Sequence, residues 1–265
     1  MFKKLLLLLL LIGFSADAQT KILTWNLENF GKSKTDSAIR SIAQILKDYD
    51  VVALQEVVAG SGGAKAVARL ADELNRTGAK WDYAISDPTQ SSSYKKERYA
   101  FLWKTASVKI IGKAWLEKKY ELEIEREPYL GTFEYRGKQF TVVNFHGLTK
   151  KDQPETEIKY FKLLPQEYPL LNLVFLGDFN CPQSHSVFLP IKKMGWKPAF
   201  QNQKTSLKKA CTKNNCLASE YDNIFYDARQ LDCVDSGVIL FFKNFASLKA
   251  AKSISDHIPV WISLE

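Results

Sequence analysis

The chain has 265 residues, 46% hydrophobic and 25% charged, with a formal net charge of +8. Those proportions exclude a disordered, fibrous or low-complexity chain, and the length suits one large α/β domain before two small ones. The basic excess suits a polyanionic partner, nucleic acid or an anionic surface, without choosing between them.

Residues 1–18 do not read as part of the fold. A basic MFKK start, the apolar LLLLLLLIGF and a small-residue ADA stretch have the layout of a secretory signal peptide cut after Ala18. The apolar run is short of the ~20 residues that a membrane span needs. Loss of Lys3, Lys4 and Asp17 leaves 35 basic against 28 acidic residues, a charge of +7. A secreted or periplasmic protein is expected, with residues 19–265 as one domain and no membrane association after cleavage. Cys181, Cys211, Cys216 and Cys233 then meet oxidising conditions, and their spacing is not that of a zinc site. Cys211 and Cys216 are near enough for a local bridge.

Residues 21–27 (KILTWNL) are β-branched and aromatic and predict the first strand. Residues 37–49 place Ile39, Ile42, Ile45 and Leu46 at helical spacing, with Thr35 or Asp36 as cap. VVALQEV at 51–57 reads as a buried strand, so the chain opens as a strand–helix–strand crossover. GSGG at 60–63 reads as a flexible loop before a helix over 64–75. WDYAIS, RYAFLWK, YLGTFEY and KQFTVVNF follow as strands, the last two joined at Arg136 and Gly137 as a hairpin. A helical pattern spans 155–167, with Pro165 set to end or kink it. NLVFLGDFN, a helix near 187–194, YDNIFY and the closing SDHIPVWISLE complete the chain. Alternating and hairpin strands together predict a mixed-sheet α/β sandwich.

One event recurs. An apolar strand ends, and a carboxylate, amide or imidazole stands beside its end: Asn26, Glu56, Asn144 with His146, Asp178 with Asn180, Asp222 with Asn223, and Asp256 with His257. A lone strand-end Asp or Asn is usually a turn former. Six together point to one site where strand ends converge. Carboxylate and amide oxygens suit Mg²⁺, Mn²⁺ or Ca²⁺ rather than zinc. Two histidines with acidic partners can take a proton from water and give one to a leaving oxygen. Phosphate-ester hydrolysis fits that inventory, and no Walker-type, GxSxG or HExxH motif competes with it.

TWNLENFG, ALQEV, YKKERYAFLWK, REP, VVNFH, LGDFN, YDNI and SDHIPV occur in the order of the endonuclease/exonuclease/phosphatase superfamily. The chain resembles its deoxyribonuclease I branch from Lys21 onward. The resemblance implies a four-layer sandwich, two mixed β-sheets flanked by helices, with the site at one edge. It implies that Asn26 and Glu56 hold the divalent metal, Glu56 most directly, and that Asp256 completes the acidic cluster. Mg²⁺ or Mn²⁺ is the implied cofactor, with Ca²⁺ admitted as a structural ion. His146 with Glu97, and His257 with Asp222, are the implied catalytic pairs, beside Asp178. Asn180, Arg126 and Tyr94 are the implied substrate contacts, although the extra lysine in YKKERY leaves the family's tyrosine aligned with either Tyr94 or Lys95. The implied partner is double-stranded DNA, cut by a monomer to leave 5′-phosphate ends. Cys181 with Cys216 is the disulfide the likeness implies, against the local pair.

Departures from the branch are also visible. Val58 stands where the family places a groove-contacting arginine, and GLT (147–149) replaces a serine–alanine–proline. A phosphate-contacting threonine upstream of YD aligns with either Thr205 or Thr212. The catalytic set is complete while the DNA-grip set is partial. A sphingomyelinase-like lipid phosphodiesterase or a small phosphate-ester phosphatase is therefore the alternative.

Overall fold

The computed structural model describes residues 19–92, 95–213 and 215–265. The expected signal peptide and Tyr94 both lie outside the described residues. Strands in chain order are β1 (Thr20–Phe30), β2 (Val51–Val58), β3 (Trp81–Ile85), β4 (Glu97–Lys104), β5 (Lys109–Leu116), β6 (Tyr129–Tyr135) and β7 (Lys138–His146). They continue as β8 (Leu173–Asp178), β9 (Trp196–Pro198), β10 (Leu207–Thr212), β11 (Asn215–Leu217), β12 (Asp222–Asp227), β13 (Cys233–Val238) and β14 (Val260–Leu264). Helices are α1 (Asp36–Leu46), α2 (Ser61–Asn75), α3 (Glu155–Ile158), α4 (Leu164–Glu167), α5 (Leu189–Lys193) and α6 (Leu248–Lys252).

Two six-stranded mixed sheets stack face to face, ordered β13-β14-β1-β2-β4-β3 and β5-β6-β7-β8-β12-β9. Their shared layer is apolar, with Ile22, Val51, Phe101, Phe133, Val142 and Ile224 buried in it. The outer face of the first sheet packs on α1 and α2 through residues such as Leu23, Leu54, Ile42 and Leu70. The outer face of the second is closed by an aromatic layer that includes Phe145, Phe161, Phe175 and Phe188. The four-layer sandwich expected from the sequence is thus the observed fold. No described helix is long and apolar enough to cross a membrane.

Several local expectations need correction. GSGG is not a loop: Ser61, Gly62 and Gly63 form the first turn of α2. A Cβ on Gly63 would lie 2.0 Å from the Val58 carbonyl oxygen, so close helix–strand packing, not flexibility, uses this glycine. The 155–167 helix is broken into α3, a 3₁₀ turn and α4, with Pro165 in the first turn of α4. The 187–194 helix likewise begins as a 3₁₀ turn and becomes α5. Thr35, not Asp36, caps α1, its hydroxyl accepting from Ala38 N.

The cysteines take the local pairing, Cys211–Cys216. Cys181 is a buried free thiol in the aromatic layer, so the pairing with Cys216 implied by the resemblance is overturned.

Candidate active site

The site grows out of strand direction. β1 runs parallel to β2, and β7 parallel to β8, so two pairs of strand C-termini reach the same edge. Register then decides which side chains meet. His146 and Asp178 are partners in the parallel pair, and Asp178 and Asp222 are partners in the antiparallel β8–β12 pair. β4 runs back against β2, which places Glu97 opposite Val58 at the same edge. β1 and β2 both break register here, with Glu28, Asn29 and Glu56 in the left-handed region at φ 37°, 53° and 57°. That turn swings the Glu56 carboxylate off the pleat toward the edge. Backbone departures of this kind concentrate at functional sites.

Two imidazole–carboxylate pairs face one carboxylate. His146 Nδ1 donates to Glu97 at 2.9 Å, and His257 Nδ1 donates to Asp222 Oδ2 at 2.7 Å. Each bond places the proton on Nδ1 and leaves Nε2 for the cleft. From there Nε2 of His146 is 3.7 Å, and Nε2 of His257 is 3.5 Å, from Asp178 Oδ2. Burial disfavours a charged His257, but Asp222 and Asp178 outweigh it and hold its pKa well above the ordinary value. Burial also opposes charge on His146, and Glu97 overcomes both that and the repulsion of Arg126, so its pKa is raised too. Burial works to raise Asp178, yet the two imidazoles depress it.

Asn26 ties the halves together. Its Nδ2 donates to Glu56 Oε1 at 2.9 Å and to Asp178 Oδ2 at 3.0 Å, while its Oδ1 accepts from Glu28 N. As placed, it holds two carboxylates rather than offering its own oxygen. Glu56 also accepts from Asn29 N, and it lies 3.9 Å from His146 Nε2. Asp256 lines the same cleft beside Glu28 and Glu56, and its carbonyl accepts from Leu207 N.

Arg126 is buried at 7% exposure. Its Nε and Nη2 donate to the carbonyls of His146 and Gly147, and Nη1 sits 3.7 Å from Glu97. Most of its fork is thus spent on holding the His146 strand end. Asn180 follows Asp178 through an Asx turn, its N–H donating to Asp178 Oδ1 and its Nδ2 to Gly147 O. The turn puts Asn180 at φ 49°, and this bend brings it into the cleft beside Asp178. Phe179 between them packs into the aromatic layer against Phe188 and Phe225.

The structure separates other strand-end residues from the cleft. Asn144 donates to Leu54 O and accepts from Gln55, bridging the two sheets. Asn223 is consumed by the backbone of Phe200 and Ile224. Of the two candidate threonines, Thr205 is fully buried and accepts from Tyr221 N and Asp222 N, while Thr212 is exposed on β10. Sequence reasoning missed Ser255, whose hydroxyl donates to Asn26 O and accepts from His257 N. Its place directly before Asp256 and His257 was the available signal. Glu28 was missed as well, an acid inside TWNLENFG whose pKa is raised by burial and by Asp256.

Glu56, His146, Asp178, Asn180, Asp256 and His257 line a cleft of about 610 Å³. Among the described residues, Asp178, Asp222 and His257 bring ligand atoms within 4.8 Å of one another. The His257–Asp222 bond spends one atom of each. Asp222 Oδ1 is buried without a partner, an unsatisfied anionic oxygen beside this cluster. Oxygens of Glu56 and Asp178 together with this donor set fit a hard divalent cation.

The model of the Endonuclease/Exonuclease/phosphatase family matches residues 23–257. The chain belongs to this family. It is 30% identical over 266 residues to deoxyribonuclease-1 of Canis lupus familiaris, covering 92% of this chain and 91% of that one. A deoxyribonuclease of Thioalkalivibrio sp. (strain K90mix) is 27% identical over 281 residues, across 98% of this chain and 75% of its own length. Among solved structures, humanized D. rerio TDP2 superposes with TM-score 0.67 at 15% identity, over 93% and 99% of the two chains. A mannosyl-6-phosphatase of Bacteroides thetaiotaomicron gives TM-score 0.62 at 17% identity, over 93% and 99%. The two structural likenesses concern the fold alone. As a member of this family with deoxyribonuclease I-like relatives, the chain is a phosphodiester hydrolase.

Proposed function

We propose that this family member is a secreted or periplasmic, divalent-metal-dependent endonuclease that hydrolyses double-stranded DNA as a monomer. The observation that carries the proposal is the pair of imidazoles, each backed by its own acid, converging on Asp178 Oδ2 from 3.7 and 3.5 Å. Hydrolysis adds water at phosphorus and breaks the bond to the 3′ oxygen. One imidazole accepts the proton that the water loses, and the other gives a proton to the departing 3′ oxygen. The products are a 5′-phosphate and a 3′-hydroxyl. Asp178 and Asn180 orient the attacking water and the phosphate, and Arg126 fixes His146 for its transfer. Mg²⁺ or Mn²⁺, when bound, neutralises charge on the phosphoryl oxygens. Glu56 would hold it, with Asn26 fixing Glu56 and Asp256 extending the acidic wall. Residues 1–18 act as the cleaved leader, so exported material should begin at Gln19.

Purified residues 19–265 should nick supercoiled plasmid in Mg²⁺ or Mn²⁺ and stop in EDTA. Absence of nicking under every divalent ion tried would sink the proposal. Val58 favours one other reading, because an apolar side chain 37% exposed stands at the cleft rim where the resemblance places a groove-contacting arginine. Release of phosphocholine from sphingomyelin, or of free phosphate from small esters, with DNA left intact, would select it.

A further inference from the structure

The cleft presents an electrostatic problem to a polyanion. Glu28, Glu56, Asp178 and Asp256 all line it, and any nucleic acid entering it brings more negative charge. Attraction must come from its flanks. On one rim stand Lys95 and Lys96. Next to His257, outside the lining of the cleft itself, stands a feature that the catalytic set does not explain, the small hairpin β10–β11.

This hairpin is rooted at the catalytic histidine without slack. Ser206 forms an antiparallel bridge with His257, and the next residue, Leu207, donates its N–H to Asp256 O at 2.6 Å. Leu207 is also buried in the core, as the anchor of the hairpin. Beyond it the sequence KKACTKNNCL has no acid, and residues 204–217 contain Lys204, Lys208, Lys209 and Lys213. Lys204, Lys209 and Lys213 are exposed and Lys208 is half-buried. Among the described residues none of the four is in an ion pair. Isolated two-stranded hairpins are marginal in water. Here the Cys211–Cys216 disulfide supplies what apolar packing does not, holding an exposed and highly basic element in one shape.

We propose that β10–β11 is a stiff arm that grips the phosphate backbone of duplex nucleic acid beside the scissile phosphate, on the His257 side of the cleft. The proposal rests on the nuclease reading above and names the surface that supplies part of its missing DNA grip. The reach is adequate. Six residues of strand extend about 20 Å at ~3.3 Å per residue. Phosphates recur every ~3.4 Å of axis along one strand, so the arm spans several of them. Lys96, and Lys95 with its Asp152 partner at 3.7 Å, line the cleft next to Glu97, so a duplex would meet basic side chains near both imidazoles.

The test replaces Lys208, Lys209 and Lys213 by alanine together, with an all-arginine triple as rescue. Steady-state kinetics are measured on a duplex across salt concentrations and on bis(p-nitrophenyl) phosphate, a diester too small to reach the arm. The alanine triple should raise KM for the duplex about tenfold at moderate salt. It should also lower the slope of log affinity against log salt by about 2–3, since each phosphate contact contributes ~0.9. Turnover of the small diester and the melting temperature should not change, and the arginine triple should restore the duplex KM. Unchanged duplex KM and salt slope would overturn the arm, as would an equal loss on both substrates. Binding of the wild type to anionic vesicles in preference to duplex would also overturn it, and would assign the lysines to a membrane surface. Failure of the nuclease reading looks different: the wild type itself then cuts the small diester and leaves the duplex whole. Replacing Cys211 and Cys216 by serine should reproduce part of the KM effect with every lysine in place.

Discussion

Asp178 and Asp222 lie directly opposite one another in the antiparallel β8–β12 pair, two carboxylates buried at 1% and 2% exposure. His257 makes that arrangement tolerable, bonding Asp222 through Nδ1 and facing Asp178 through Nε2. Asp222 is pushed up by burial, with the His257 charge pulling against it. Removing either negative partner should therefore be read at His257.

Asp222→Asn removes the strongest influence raising the His257 pKa, leaving Asp178 and Asp256 alone to oppose the lowering by burial. The limb of the pH–rate profile governed by His257 should move to lower pH, whichever proton that residue handles. The sign for stability follows. A raised imidazole pKa adds stability that is full below the unfolded value, about 6.5, and is lost as pH rises through the folded value. Wild type should thus lose this contribution above neutrality, and Asp222→Asn should flatten that dependence. NMR titration of the ring checks the shift directly, and an unmoved His257 resonance would refute it.

His146→Ala and His257→Ala should each cut kcat by about 10²–10⁴, the range for loss of a positioned proton-transfer group. Duplex affinity should change little. Plasmid-nicking rates measure the first, anisotropy titration of a labelled duplex the second, and circular dichroism checks that the fold is kept. Near-wild-type turnover in either variant would remove that imidazole from the mechanism.

Glu56→Gln keeps the size of the side chain and its bond from Asn26 but discards the charge offered to a cation. The metal concentration for half-maximal nicking should rise tenfold or more, about 1.4 kcal/mol in binding. An unchanged Mg²⁺ titration would place the metal elsewhere, with Asp178 and Asp222 next to be examined.

Gly177→Ala tests the strand that delivers Asp178. Gly177 sits at φ +131°, and a Cβ there would lie 1.9 Å from the Phe145 carbonyl oxygen. Backbone must move, so a loss of about 3 kcal/mol is expected in urea denaturation. Activity should fall further than stability accounts for, because Asp178 is the next residue. A loss below ~1 kcal/mol would show that the close approach relaxes freely.

Much of the site was legible because strand ends are loud in sequence. Asp178 follows LVFLG, and Asp256 and His257 precede IPVWI, so apolar runs framed the acids and imidazoles. Partnerships were not readable from the residues themselves. Nothing local tells His146 to meet Glu97, 49 residues earlier, and the resemblance supplied that pairing. Elements without an apolar signature went unread. β5 is an edge strand, largely exposed and interrupted by Gly112 at φ +71°, so its alternation is weak. β10 and β11 are lysine-rich and mostly exposed, and a covalent bridge replaces the pattern that core packing would have left. Asn144 misled for the opposite reason: a polar residue at a strand end reads alike whether it faces a cleft or crosses between sheets.

β1 pairs on one side with β2 and on the other with β14, at residues 260–264. Ser255 donates to Asn26 O across 229 residues of chain, and Trp25 Nε1 donates to His257 O across 232. β1 therefore takes its second neighbour from the last described strand and lies inside the sheet, with β13 beyond β14 at the edge. Both imidazole–carboxylate pairs can share one cleft only once the first and last described strands have met, so the candidate site depends on contacts between opposite ends of the domain.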